Sequence, residues 1–144
     1  ELSSLITDII RHEQYAIDDK SLMLLSDMHK IYFQGNRRLL HQAFSNLIQN
    51  AIKYSDINGI IDITLNQKNN HIIFAVTNEG QTISKQAIPH LFDRFYKLNA
   101  SDNSNGLGLA ITKSIIDLHH GKICVSSDSE NGTTFKILFP HILF

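Results

Sequence analysis

Residues 36–55 read Asn-Arg-Arg-Leu-Leu-His-Gln-Ala-Phe-Ser-Asn-Leu-Ile-Gln-Asn-Ala-Ile-Lys-Tyr-Ser. On a helical wheel at roughly 100° per residue, Leu40, Phe44, Leu47, Ile48, Ala51 and Ile52 fall in one apolar arc. Gln42, Asn46, Gln49, Asn50 and Lys53 fall on the opposite side. The period predicts an amphipathic helix over 37–54 with Asn36 as its N-cap. Asn46, Asn50 and Lys53 stand at i, i+4 and i+7, so they point the same way. On pattern alone a solvated helix face accounts for such a stripe. Asn, however, is a poorer helix former than Glu, Lys or Gln, and two in register ask for a reason. An amide oxygen is a neutral ligand for a hard cation, and Mg2+ prefers oxygen, keeping waters and phosphate oxygens around it. Lys53 carries charge for a phosphate, and Tyr54, at the edge of the stripe, offers a ring for a base.

Outward from this helix, residues 2–18 carry Leu2, Leu5, Ile6, Ile9, Ile10, Ala16 and Ile17 at helical spacing. Leu22–Leu25 and Ile31–Phe33 read as two short strands. Ile60–Asn66 and His71–Thr77 read as strands joined by the polar turn 67–70. Ser84 caps a short helix through His90. Residues 97–105 are polar with nothing to pack and read as a mobile loop. Leu107–Leu118 reads as a helix, and Lys122–Ser127 and Thr134–Phe139 as strands around an Asn131-Gly132 turn. Helices mixed with mostly hairpin-linked strands predict an α/β sandwich: a mixed, mostly antiparallel sheet with three main helices on one face.

At 144 residues the chain has the length of one domain. With 42% hydrophobic and 19% charged residues it is ordinary globular protein. The net charge of -1 comes without a Lys/Arg cluster, which argues against nucleic acid as a partner and gives no reason for docking on an anionic membrane. Cys124, the single cysteine, reads as a small core residue and fits a reducing compartment. The eight histidines show no metal-ligand spacing; His12-Glu13 lacks the second His of a zinc motif. The opening Glu-Leu-Ser-Ser, with no initiator Met, suggests a piece of something longer.

Two further stretches carry possible chemistry. Gly106-Leu107-Gly108-Leu109-Ala110 opens a helix after the polar loop. Read alone it is either a turn or a phosphate site made of permissive backbone and a helix N-terminus. No Gly-Lys-Ser/Thr is present, so it is not a Walker loop. Asn78-Glu79-Gly80-Gln81-Thr82-Ile83 ends a strand. Alone it is a turn, though a polar side chain there can read the edge of a base.

Taken in order, these pieces resemble the boxes of sensor histidine kinases. Asn46-Leu-Ile-Gln-Asn50-Ala-Ile-Lys53-Tyr54-Ser resembles the N box, and Asn78-x-Gly80-x-x-Ile83 the G1 box. Leu91-Phe-Asp-Arg-Phe-Tyr-Lys97 resembles the F box, Gly106-Leu-Gly-Leu-Ala110 the G2 box, and Gly132-Thr-Thr-Phe135 the closing strand. The match covers nearly the whole chain. It implies the Bergerat fold, shared with gyrase, Hsp90 and MutL, clasping ATP and Mg2+. It implies a nucleotide site of Asn46, Asn50, Lys53, Tyr54, Asn78, Gly80, Ile83, Phe95, Gly106, Leu107, Gly108, Leu109 and Thr133. Asn50 resembles the main Mg2+ ligand and Asn46 a second, with Lys53, Arg94 and Lys97 as cations near the phosphates. Phe92 and Phe95 are equally readable as core. Asn78 stands where the family usually has Asp to bond the adenine amino group, and Thr82 where a second Gly is usual. Heavy-metal-sensing kinases resemble this chain in having Asn-x-Gly-x-x-Ile. The G2 lead-in has Asn103, Ser104 and Asn105 in place of glycines.

The resemblance further implies transfer of the ATP γ-phosphoryl group to a His on a separate helical dimerisation domain, upstream of Glu1. A response regulator would be the partner of the complete kinase, and this part would be a cytoplasmic domain of an inner-membrane sensor. Two rival readings stay open. One is another ATPase or kinase of the same fold; against a hydrolytic one, the long helix offers no Glu near Asn50 to activate water. The other is a degenerate module that binds a partner and no ATP.

Overall fold

The apolar arc of residues 37–54 organises the molecule. A computed structural model describes residues 1–97 and 106–141. Its helices are α1 (Leu2–His12), α2 (Gln14–Asp19), α3 (Arg37–Tyr54) and α4 (Gly108–Leu118). Its strands are β1 (Met23–Met28), β2 (Ile60–Lys68), β3 (His71–Asn78), β4 (Lys122–Asp128) and β5 (Gly132–Pro140), with a 3-10 turn at Ile88–His90. Asn36 caps α3 as its sequence predicts, its Oδ1 accepting from the Leu39 N–H at 3.0 Å. Every residue of the predicted arc is buried, and Ala43 joins them.

The sheet order is β1-β2-β3-β5-β4, with β1 parallel to β2 and the remaining pairs antiparallel. Strand alternation gathers Ile63, Val76 and Phe135 in one rung, and Leu65, Phe74 and Ile137 in the next. These side chains are buried on the helix-facing side, where Phe44 of α3 meets Phe74 edge-on at 4.8 Å. Each such apolar side chain removed from water contributes about 1.5–3 kcal/mol. The last rung of the same face breaks the pattern. Ile61, Asn78, Thr133 and Ser127 are successive cross-strand partners there, so the apolar floor ends in an amide and two hydroxyls.

Several local expectations are corrected. The first strand runs to Met28 and lies parallel to β2, so α3 forms the crossover between them. Ile31–Phe33 is not a strand. Ile31 O accepts from the Leu2 N–H at 2.9 Å, and Phe33 packs on Phe139 at 4.6 Å, so this stretch is apolar for packing and not for a ladder. The helix expected over 2–18 breaks at Glu13 (φ -94, ψ 6), after which α2 buries Ile17. The segment after Ser84 is a turn followed by the 3-10 turn carrying Pro89, with Ser84 Oγ accepting from the Ala87 N–H. Cys124 is exposed, not core: β4 is an edge strand, and its positions 123, 125 and 127 are the half-buried ones. Of the loop expected at 97–105, residues 98–105 lie outside the described residues. Among the described residues no helix is long and apolar enough to cross a membrane.

Candidate functional site

The polar stripe of α3 and the polar rung of the sheet face a common cavity of about 540 Å3, a size usual for small-molecule sites. α3 lines it with Asn46, Gln49, Asn50, Lys53 and Tyr54, and the rung with Asn78 and Thr133. Ile83, Ala87, Leu91 and Phe135 supply apolar wall, while Gly106, Gly108 and Leu109 bring in the start of α4. Lys97 and Tyr96 close one side.

At the helical end the side chains are held. Asn46 Nδ2 donates to Gly108 O and to Thr112 Oγ1, each at 3.2 Å. Thr112, fully buried, in turn donates to Gly108 O at 2.8 Å. The nitrogen of the Asn46 amide is thereby spent, which leaves its oxygen as the acceptor for a cation. α4 begins without a side-chain cap among the described residues, and a helix N-terminus of this kind suits an anion. Behind Lys53 and Tyr54, the Lys20 ammonium donates to Ile52 O, Lys53 O and Ser55 O at 2.9, 2.7 and 3.1 Å. All three of its protons satisfy carbonyls at the negative end of α3. Lys53 Nζ also lies 5.3 Å from the centre of the Tyr54 ring.

At the sheet end the arrangement differs. Asn78 is 3% exposed, and its Nδ2 has no hydrogen-bond partner among the described residues. A buried donor left unpaired costs about 1–3 kcal/mol, so a native protein rarely keeps one without a reason. Beside it, Ser127 Oγ accepts from the Ile83 N–H at 2.9 Å and shares a 2.8 Å hydrogen bond with Thr133 Oγ1. Two glycines let the backbone close here. A Cβ on Gly80 would stand 2.0 Å from Tyr54 O, and one on Gly132 (φ +76) 2.4 Å from Asn78 O.

The structure brings Asn46, Asn50, Lys53, Tyr54, Asn78, Ile83, Lys97, Gly106, Gly108, Leu109 and Thr133 to one cavity. Gly80 stands behind it, against Tyr54. Arg94, Phe95 and Leu107 are not brought there. Phe95 has φ +67 and is 65% exposed, with the Arg94 guanidinium over its ring at 5.7 Å. Arg94 and Leu107 line a separate surface groove with Ile111 and Leu118. What Phe95 supplies to the cavity side is backbone: its N–H donates to Gly106 O at 2.9 Å, clasping the segment before residue 98 to the segment after 105. Phe92 is half-buried against Phe135, edge to face at 6.3 Å, which is the core reading.

Sequence reading missed Thr112, Lys20 and Ser127. A hydroxyl residue one helical turn after Gly108 was a faint signal for Thr112. Lys20 and Ser127 carry none, because their partners lie on elements remote in the chain.

A family model described as histidine kinase-, DNA gyrase B-, and HSP90-like ATPase matches residues 35–142. The chain belongs to this ATPase family. This ATPase domain is 65% identical over 136 residues to the heme sensor protein HssS of Staphylococcus haemolyticus (strain JCSC1435), covering 94% of the chain and 30% of that protein. It is 58% identical over 141 residues to HssS of Staphylococcus aureus (strain Newman), covering 98% and 31%. The chain thus spans about a third of the length of these curated relatives. Among solved structures, the catalytic domain of histidine kinase ThkA matches with a TM-score of 0.87 at 28% identity, over 96% of this chain and 91% of that one. ThkA in complex with the response regulator TrrA matches with a TM-score of 0.82 at 27% identity, over 99% and 41%. The mixed five-stranded sheet under its helices is therefore the fold of a histidine kinase catalytic domain.

Proposed function

We propose that this domain binds Mg2+-ATP in the cavity and presents the γ-phosphoryl group to a His on a separate helical domain of the same kinase. The observation that carries this reading is the pairing, across one cavity, of an oriented amide-and-lysine stripe with the Asn78 amide at the last rung of the sheet. A purine edge suits the latter, and phosphates suit the former.

In this reading Asn78 and Thr133 hold the base edge, Ile83 packs on its face, and Tyr54 lies beside it. Gly80 and Gly132 keep that pocket narrow by allowing close backbone approach. Asn50 and Asn46 offer amide oxygens for Mg2+. Among the described residues no three His, Cys, Asp or Glu converge, so amides, phosphates and water would complete its shell. Mg2+, when bound, neutralises phosphate charge, on which phosphoryl transfer mainly depends together with positioning. Lys53 and Lys97 add positive charge, and the start of α4 at Gly106–Leu109 adds N–H donors. The response regulator engages the complete kinase, and the domain works on the cytoplasmic side of an inner-membrane sensor. The name of the relatives offers heme as the stimulus to test in a protein that contains this domain.

Calorimetric titration of a non-hydrolysable ATP analogue tests the reading. Saturable binding that tightens with Mg2+ is expected. A folded chain that takes up no analogue at millimolar concentration would instead be a partner-binding module.

A further inference from the structure

At the base-reading end of the cavity, the two polar side chains contributed by the sheet, Asn78 and Thr133, have no locked hydrogen-bonding sense. The usual carboxylate at this position only accepts, which matches the exocyclic amino donor of a 6-aminopurine and repels the O6 of a 6-oxopurine. Asn78 carries one acceptor and one pair of donors on a planar amide. Turning that amide over exchanges their places. The turn is normally forbidden by the partners of the two atoms, as it is for Asn46, whose Nδ2 is tied to Gly108 and Thr112. At Asn78 the Nδ2 is buried and has no partner among the described residues, so rotation breaks no hydrogen bond that atom makes to them. The next strand repeats the ambiguity. Thr133 lines the same cavity, and its Oγ1 shares a hydrogen bond with a second hydroxyl, Ser127 Oγ, in which either can be the donor. The rung that holds both side chains consists of Ile61, Asn78, Thr133 and Ser127, so no fixed charge stands beside them in the rung.

We propose that Asn78, with the Thr133–Ser127 hydroxyl pair, makes this a purine site that accepts 6-oxopurine nucleoside triphosphates alongside ATP. In one amide orientation Oδ1 faces the cavity and accepts from the 6-amino group. In the other, Nδ2 takes that place and donates to O6, while Oδ1 takes the buried one. The inference rests on the nucleotide-site reading above and deepens it.

Inosine triphosphate is the decisive probe, because it swaps the 6-amino donor for an oxo acceptor without adding the 2-amino bulk of guanine. The measurement is the dissociation constant of ATP and of inosine triphosphate, each with Mg2+, by titration calorimetry on the 144-residue chain and on Asn78→Asp. The parent should bind the two nucleotides within about tenfold of each other. Asn78→Asp should widen the preference for ATP by at least about tenfold, because a fixed acceptor meets an acceptor. A parent that binds ATP but prefers it to inosine triphosphate by more than tenfold overturns the proposal and leaves the nucleotide site intact. An unchanged preference in a folded Asn78→Asp overturns it too. A parent that binds neither nucleotide overturns the site reading and the proposal together.

Discussion

The two ends of the cavity are built on opposite plans. At the helical end, polar side chains that face the cavity are braced from behind: Asn46 by Gly108 and Thr112, and the last turn of α3 by the three-pronged Lys20 ammonium. At the sheet end, the backbone is rigid in a four-strand rung, yet the amide that faces the cavity has an unpaired nitrogen. The helical end has to hold charges at fixed distances, and its scaffold is a helix terminus with carbonyls to satisfy. The sheet end has a ladder that already fixes the backbone, so the side chain can be left for a ligand. Polar residues therefore stabilise the fold at one end and burden it at the other.

Four substitutions would sharpen or break this contrast. The largest effect is expected at the seam between the ends. Gly80→Ala drives a Cβ into Tyr54 O, a backbone atom that cannot step aside. A loss of about 2–3 kcal/mol in urea unfolding is expected, with nucleotide binding weakened at both ends. A parent-like midpoint would show the two ends are not joined there.

Lys20→Met removes a charge-assisted tripod from α3 while keeping much of the stem. It should cost about 2 kcal/mol of unfolding free energy and weaken analogue binding through Lys53 and Tyr54. Unchanged stability would mean that water replaces the ammonium without loss and that Lys20 does not brace α3.

Asn78→Leu tests the other end and should have the opposite sign. Replacing an unpaired buried amide with an apolar group of similar volume should leave stability within about 1 kcal/mol of the parent, or raise it. Nucleotide binding should fall by more than tenfold. A strongly destabilised variant would show that the amide is part of the scaffold after all.

The smallest effect lies just beyond the sheet end, in the β4–β5 turn. The Asp128 carboxylate accepts from the backbone N–H groups of Asn131 and Glu130, the former at 2.6 Å, and from the Asn131 amide. The Asn131 N–H above all holds its pKa below the usual 3.8. A depressed folded pKa stabilises the protein above the unfolded value and ceases to do so as pH falls through the folded one. The melting temperature of Asp128→Ala should thus lie slightly below the parent's at pH 7, and the gap should close as pH drops below 3.8. A gap independent of pH would assign the effect to packing.

How much of this was legible in the chain itself follows from the range of each interaction. Residues 36–55 specify α3, its cap and its two faces, because helix periodicity and capping act within a few residues. The two long hairpin strands of residues 60–78 and the paired strands after 122 were legible for the same reason, their alternation and turns being local. Ile31–Phe33 misled because an apolar triplet has no period to separate strand from packed linker. Cys124 misled because alternation marks two faces but not which one the helices cover, nor that β4 lies at an edge.

The sequence by itself thus determined the amphipathic helix, the order of the motifs and hence the family. Tertiary structure alone decided that Asn46 and Asn78, alike in chemistry, differ in kind. One amide is fixed by α4, and the other keeps a nitrogen without a partner at the last rung of a core face. The physical reason is that an amide takes its role from the partners it finds, and those partners come from elements far apart in the chain.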